Sequence, residues 1–181
     1  MRIHTTATGV DDHAPTAEQQ SPSRPGADVL FLCTGNYYRS RFAEELFNHL
    51  AVRRRIPLRA HSLGFTPHPD TNPGFLSTFA IAALAERNIA PASTRMPQAV
   101  KAADFITCRR CIAMSETEHR PIMECLFPSL IHTVQFWSVE DLAWEQPHSA
   151  LGKIESSVAA LMSELVEGAS SPTSAAAVTP S

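Results

Sequence analysis

Asp28–Phe42 reads DVLFLCTGNYYRSRF, and the change of pattern within it decides the fold. Val29-Leu30-Phe31-Leu32 is an unbroken apolar run, as in a strand covered on both faces of a parallel sheet. Gly35 and Asn36 mark a tight turn, because both accept positive φ at small cost. From Arg39 onward, Phe42, Leu46, His49 and Leu50 recur at helical spacings of three and four. Cys33 therefore ends a strand, and Arg39 and Ser40 open a helix. The loop between them turns its backbone N–H groups towards one point.

A strand, loop and helix in this order make an anion site, since free N–H groups and the positive end of the helix dipole favour negative charge. Arg39 adds a planar fork that matches two phosphate oxygens. Cys33 lies in the same field and is expected to react as its thiolate, with the Ser40 hydroxyl beside it. The loop residues Thr34, Gly35, Asn36, Tyr37 and Tyr38, with Ser40, are the expected substrate-binding set. An anion cradle with a thiolate at its floor points to phosphoryl transfer through sulfur. Cys-x5-Arg-Ser alone is a weak signal. The strand before it and the helix after it make it specific.

Val29-Leu-Phe-Leu-Cys-Thr-Gly-Asn-Tyr-Tyr-Arg-Ser resembles the signature of low-molecular-weight protein tyrosine phosphatases, a superfamily that includes thioredoxin-coupled arsenate reductases. The resemblance runs from Asp28 to Leu165. It implies that Cys33 is the nucleophile, Arg39 the phosphate clamp, Ser40 the partner of the thiolate, and Asn36 the residue that locks the loop. Two departures stand out: Tyr38 replaces a second cysteine found in many members, and Arg41 replaces a proline.

The chain has 181 residues, enough for one domain with tails, and 44% of them are hydrophobic, an ordinary globular share. A net charge of −3 gives no electrostatic case for nucleic acid or an anionic membrane. No long apolar span and no signal-peptide core follow Met1, so a cytoplasmic location is expected. The four cysteines at 33, 108, 111 and 125 suit reduced thiols. Cys108-x2-Cys111 lacks a second pair to complete a metal knuckle and reads as small buried residues flanking a strand. No metal and no cofactor are expected.

Residues 1–27 are polar without apolar periodicity and read as a disordered extension; Asp11, Asp12 and His13 read as solvated. A single domain is expected over 28–167, followed by a low-complexity disordered tail, 168–181. Within the domain, Arg53-Arg54-Arg55 ends the first helix and complements its dipole. Leu58–Gly64 is the second strand, with His61 on the sheet face; the family resemblance implies that Ser62 and Gly64 belong to a small-residue stretch bordering the phosphate loop. Thr66–Asn72 is a loop. Pro73–Arg87 reads as a helix with Phe75, Phe79, Ala82, Ala83 and Leu84 on its buried stripe. Asn88 ends it, and Ile89–Met96 is a connector.

Gln98–Thr107 fits a short helix, and Arg110–Met114 the third strand, with Asp104–Cys108 as the alternative. Ser115-x-x-Glu118 has the form of a capping box, and Pro121 is placed to shift that helix by a turn. Ile131–Trp137 is the fourth strand, and Pro147–Glu167 a last helix closed by Gly168. Strands alternating with helices predict a three-layer α/β/α fold on a four-stranded parallel sheet, with the phosphate loop after its first strand. Ligands of such sheets bind beyond the strands' carboxyl ends, where Cys33 lies.

Breaking a phosphate ester leaves an alkoxide or phenoxide that needs a proton. The family resemblance places the acid in an Asp-Pro pair after the fourth strand, and Asp141 matches that aspartate. Leu142 replaces the proline, Glu140 is the alternative acid, and Trp144 is the expected aromatic wall. The leading expectation is a phosphatase acting on phosphotyrosine in protein or on a small aryl phosphate. Arsenate reduction, with Cys108 and Cys111 receiving the oxidised sulfur, and a non-catalytic phospho-binding module are the alternatives.

Overall fold

The computed structural model of the chain describes residues 26–170, and within it the apolar run becomes β1 (Val29–Cys33), all five residues buried. Val29, Phe31 and Cys33 enter one hydrophobic core, while Leu30 and Leu32 enter another on the opposite face. Each fully buried side chain of this size contributes about 1.5–3 kcal/mol. Two-sided cover therefore makes β1 a central strand. The remaining strands are β2 (Ala60–Gly64), β3 (Arg110–Ala113) and β4 (Val134–Phe136), in the order β2-β1-β3-β4 and all parallel.

Among the described residues four helices cover the sheet: α1 (Arg39–Arg54), α2 (Thr78–Glu86), α3 (Glu116–Leu126) and α4 (Pro147–Ser170). Phe42, Leu46 and Phe47 of α1, Ala80 and Leu84 of α2, and Ile154, Val158 and Met162 of α4 share the core of Val29 and Phe31. Met123 of α3 and Phe105 of a 3-10 turn (Ala102–Ile106) pack on the Leu30 and Leu32 face. The expected three-layer arrangement is present. Register pairs Cys33 with Gly64 and Leu32 with Ala113, so the loops after β1, β2 and β3 leave the sheet at one edge.

Several element boundaries differ from expectation. The second strand begins at Ala60. The helix α2 begins at Thr78, where the Ser77 side chain caps it by accepting from the Ala80 N–H at 3.1 Å. The later start turns the buried stripe to Ala80, Ala83 and Leu84 and leaves Phe79 48% exposed. Pro121 does not move α3, whose N-cap is Ser115. The stretch before β4 is a second 3-10 turn (Pro128–Thr133), which shortens the strand to three residues. Gly168 does not stop α4, which continues to Ser170. Arg110–Ala113, not Asp104–Cys108, forms the third strand. Asp11, Asp12 and His13, the rest of 1–25, and 171–181 lie outside the described residues.

Candidate active site

The Cys33 Sγ lies 3.0 Å from the Ser40 Oγ, across the loop from the end of β1 to the first turn of α1. Asn36 holds that loop at φ 49°, a left-handed value that asparagine tolerates. Its side chain fixes the turn from inside: Nδ2 donates to Ser62 Oγ at 2.9 Å, while Oδ1 accepts from the Gln98 N–H at 3.0 Å and Arg95 Nη1 at 3.1 Å. The loop rests on β2 at Gly64, where a Cβ would stand 2.8 Å from both Asn36 N and Thr34 O. Only glycine admits that approach.

Behind the loop lies a buried ionic network. Arg41, fully buried, donates to Glu44 Oε2 at 3.0 Å and to the Ser93 carbonyl at 3.0 Å. Glu44 also accepts from Ser62 Oγ at 2.6 Å and Arg95 Nη2 at 2.5 Å. Burial pushes the Glu44 carboxyl up, but His61, Arg95, Ser62 and Arg41 together hold it below the usual carboxylate range. The arginine that stands in place of a proline is thus absorbed into the support of the loop.

Arg39 is 1% exposed, and its guanidinium is gripped from two other elements. Nη1 donates to Glu118 Oε2 at 2.7 Å and to the Val139 carbonyl at 3.1 Å, and Nη2 donates to Asp141 Oδ2. Its Nε is buried without a partner among the described residues. Glu118 reaches the loop a second time, accepting from Thr34 Oγ1. Burial pushes its carboxyl up, yet the contacts with His119, Arg39 and Thr34 outweigh that and hold it well below the carboxylate range.

Glu118 is the residue that sequence reasoning missed. The capping box it suggested is half formed: Ser115 Oγ accepts from the Glu118 N–H at 3.2 Å, but the Ser115 N–H donates to His119 Nδ1 at 3.0 Å. The glutamate side chain is thereby released to face Arg39. No pattern in the sequence announces this, since an N-capping glutamate and a site glutamate have the same spacing.

A cavity of about 240 Å3 opens over Cys33, with Tyr37, Tyr38, Arg39, Phe79 and Asp141 in its wall. Tyr38 is buried, and its hydroxyl, 3.4 Å from the Pro147 carbonyl, is pushed up to about 12, first by burial and then by Asp141. Trp144 is 85% exposed and lines a neighbouring cavity with Glu140 and Asp141. The aromatic wall over Cys33 comes from Tyr37, Tyr38 and Phe79 instead. Glu140 points away from Arg39, accepting from Ser115 Oγ and Thr117 Oγ1 at 3.0 Å each. The structure thus brings together Cys33, Arg39, Ser40 and Asp141, and separates Glu140 from them.

A thiol at the carboxyl end of a central parallel strand, with an arginine from the next helix's first turn beside it, marks the site of this α/β protein. The family model described as low molecular weight phosphotyrosine protein phosphatase matches residues 28–169, and the chain belongs to that family of phosphomonoester hydrolases. The protein-arginine-phosphatase of Bacillus subtilis (strain 168) is 31% identical over 103 residues, 55% of this chain. The match spans 63% of that relative's length. Among solved structures, a low molecular weight phosphotyrosine phosphatase of Vibrio cholerae has a TM-score of 0.67 at 22% identity, covering 79% of this chain and 99% of the other. A YwlE mutant from Bacillus subtilis has a TM-score of 0.65 at 22% identity, covering 78% and 99%. These likenesses establish the shared fold. No helix among the described residues is long and apolar enough to cross a membrane.

Proposed function

We propose that the chain hydrolyses phosphomonoesters through a phosphocysteine on Cys33, with phosphotyrosine in protein or a small aryl phosphate as substrate. One observation carries the reading: Cys33 Sγ, 3.0 Å from Ser40 Oγ, shares its loop with an arginine whose buried Nε has no partner among the described residues. An equatorial phosphoryl oxygen supplies the missing acceptor. A second oxygen takes Nη2 by displacing the Asp141 carboxylate, which takes up a proton from solvent as it leaves the guanidinium, while Glu118 keeps Nη1.

In the first step the Cys33 thiolate attacks phosphorus, the ester P–O bond breaks, and Asp141 gives its proton to the departing oxygen. In the second step Asp141, now a carboxylate, takes a proton from water as it attacks phosphorus and the S–P bond breaks. The Ser40 hydroxyl supports the thiolate that leaves. Arg39 and the loop N–H groups bear the charge on the equatorial oxygens throughout. Tyr37, Tyr38 and Phe79 give a phenyl ring its walls.

A second reading concerns the group that bears the phosphate. The 31% identical relative is named a protein-arginine-phosphatase, and Glu140, Asp141 and Glu118 line the adjoining cavity, a setting that suits a cationic phosphoguanidinium. Arsenate reduction is less favoured. Cys108 and Cys111 pack on the face of the sheet away from Cys33, and Cys125 is exposed on α3.

The test is hydrolysis of an aryl phosphate, a phosphotyrosine peptide and a phosphoarginine peptide by pure protein with chelator present, beside Cys33→Ser. Turnover lost in the serine variant is expected. Equal turnover in both would sink the proposal, and the ratio between the two peptides selects the substrate class.

A further inference from the structure

Cys108 and Cys111 stand at the opposite end of β3 from the loop that meets Arg39, and the phosphatase reading gives them no task. Their sulfurs are 2.7 Å apart, and each also lies 3.6 Å from the Phe105 carbonyl. Cys111 is buried in β3 on the sheet face away from Cys33, while Cys108 is partly exposed on the turn leading into β3. Thiols that already face each other across a turn can join without a large backbone movement. The pair also divides its work by environment. The hydrogen bond from Cys111 favours the Cys108 thiolate, and the same contact, with burial, disfavours ionisation of Cys111.

We propose that Cys108 and Cys111 form a peroxide-responsive dithiol, a second redox site that works independently of Cys33. Hydrogen peroxide is the oxidant. The Cys108 thiolate attacks one peroxide oxygen, an S–O bond forms, the O–O bond breaks, and the second oxygen leaves as hydroxide, which takes up a proton to become water. The Cys111 sulfur then attacks the Cys108 sulfur, giving up its proton. The S–S bond forms as the S–O bond breaks, and a second water leaves. Two thiols and one peroxide thus give one disulfide and two waters. The disulfide joins the turn after the 3-10 segment (Ala102–Ile106) to the buried part of β3.

Cys33 is not part of this exchange. It belongs to the core on one side of the sheet and Cys111 to the core on the other, with β1 and β3 between them. Cys125, exposed on α3, serves as an internal reference thiol.

The experiment exposes full-length protein and its Cys33→Ser variant to graded hydrogen peroxide. Free thiols are then blocked, disulfides reduced, the released thiols tagged with a second reagent, and the peptides weighed. The expected result is the second tag on both Cys108 and Cys111, absent when dithiothreitol is added before the blocking step, at doses that leave Cys125 largely free. It should be the same in both proteins. Cys108→Ser should abolish the second tag on Cys111. The proposal is overturned if Cys108 and Cys111 stay free while Cys125 is oxidised, if Cys108 proceeds to sulfinic acid, or if the pair's oxidation disappears in Cys33→Ser.

Discussion

Arg39 Nη1 donates to Glu118 Oε2 at 2.7 Å, so the guanidinium that opens α1 is held by a carboxylate from the first turn of α3. Because Glu118 also takes the Thr34 hydroxyl, one carboxylate aligns two residues of the phosphate loop. Hydrogen bonds to charged groups contribute about 1.5–3 kcal/mol, so Glu118→Gln should lower kcat/KM by ~10–100-fold. Most of the loss should appear in kcat if the contact orients Arg39 for the transition state. Unchanged kinetics would mean that Arg39 is set without Glu118.

The same carboxylate should leave a mark on stability. Its folded-state ionisation lies well below the ordinary range, so it binds fewer protons folded than unfolded as pH falls. Its contribution is therefore complete above the ordinary glutamate value of about 4.3 and is lost as pH drops below it. Denaturant midpoints measured at pH 7 and at steps below pH ~4.3 should converge for wild type and Glu118→Gln. A constant gap between them across that range would contradict the assignment.

Arg39→Lys should be severely impaired although charge is kept. An ammonium cannot engage Glu118 and two phosphoryl oxygens in the fixed plane that the guanidinium provides. The measure is kcat/KM on an aryl phosphate, together with inhibition by inorganic phosphate. Near-normal values for both would remove Arg39 from the clamp.

Asp141 and Glu140 separate by leaving group. Asp141 touches Arg39 at the cavity over Cys33, whereas Glu140 is tied to Ser115 and Thr117. General-acid catalysis is worth about 10²–10⁴-fold, so Asp141→Asn should lose that much on an unactivated phenyl ester and far less on a nitrophenyl ester. Glu140→Gln should retain turnover and lose some thermal stability through its helix-cap contacts. The reverse pattern would transfer the acid role to Glu140.

Peroxide should inactivate the enzyme at Cys33, and dithiothreitol should restore little activity once sulfinic acid forms. Tyr38 occupies the neighbouring loop position, and a phenol cannot resolve a sulfenic acid. The other three cysteines lie across the sheet or exposed on α3. Inorganic phosphate in the cradle should slow the loss. A Cys33-containing intramolecular disulfide with full recovery would refute this and favour arsenate reduction.

By itself the sequence determined the βαβ unit around Cys33, because two-sided burial of Val29–Leu32 and the Gly-Asn turn are local properties. It also determined the parallel sheet, since alternating strands and helices leave few other topologies. Ser62 and Gly64 were legible beside the loop through the family resemblance, and the structure shows why small residues stand there: the loop backbone approaches Gly64 closely.

What tertiary structure alone decided were the partners of long side chains. Glu118 has the spacing of a capping residue, and only the arrival of His119 at the Ser115 N–H frees it for Arg39, 79 positions away in sequence. Phe79 has the spacing of a core residue. The Ser77 cap sets the phase of α2 and turns that ring towards the cavity over Cys33. Cys108 and Cys111 carry no local sign that their sulfurs meet above the Phe105 carbonyl. Periodicity reports which face a residue occupies. It does not report what another element, folded back from far along the chain, places opposite that face.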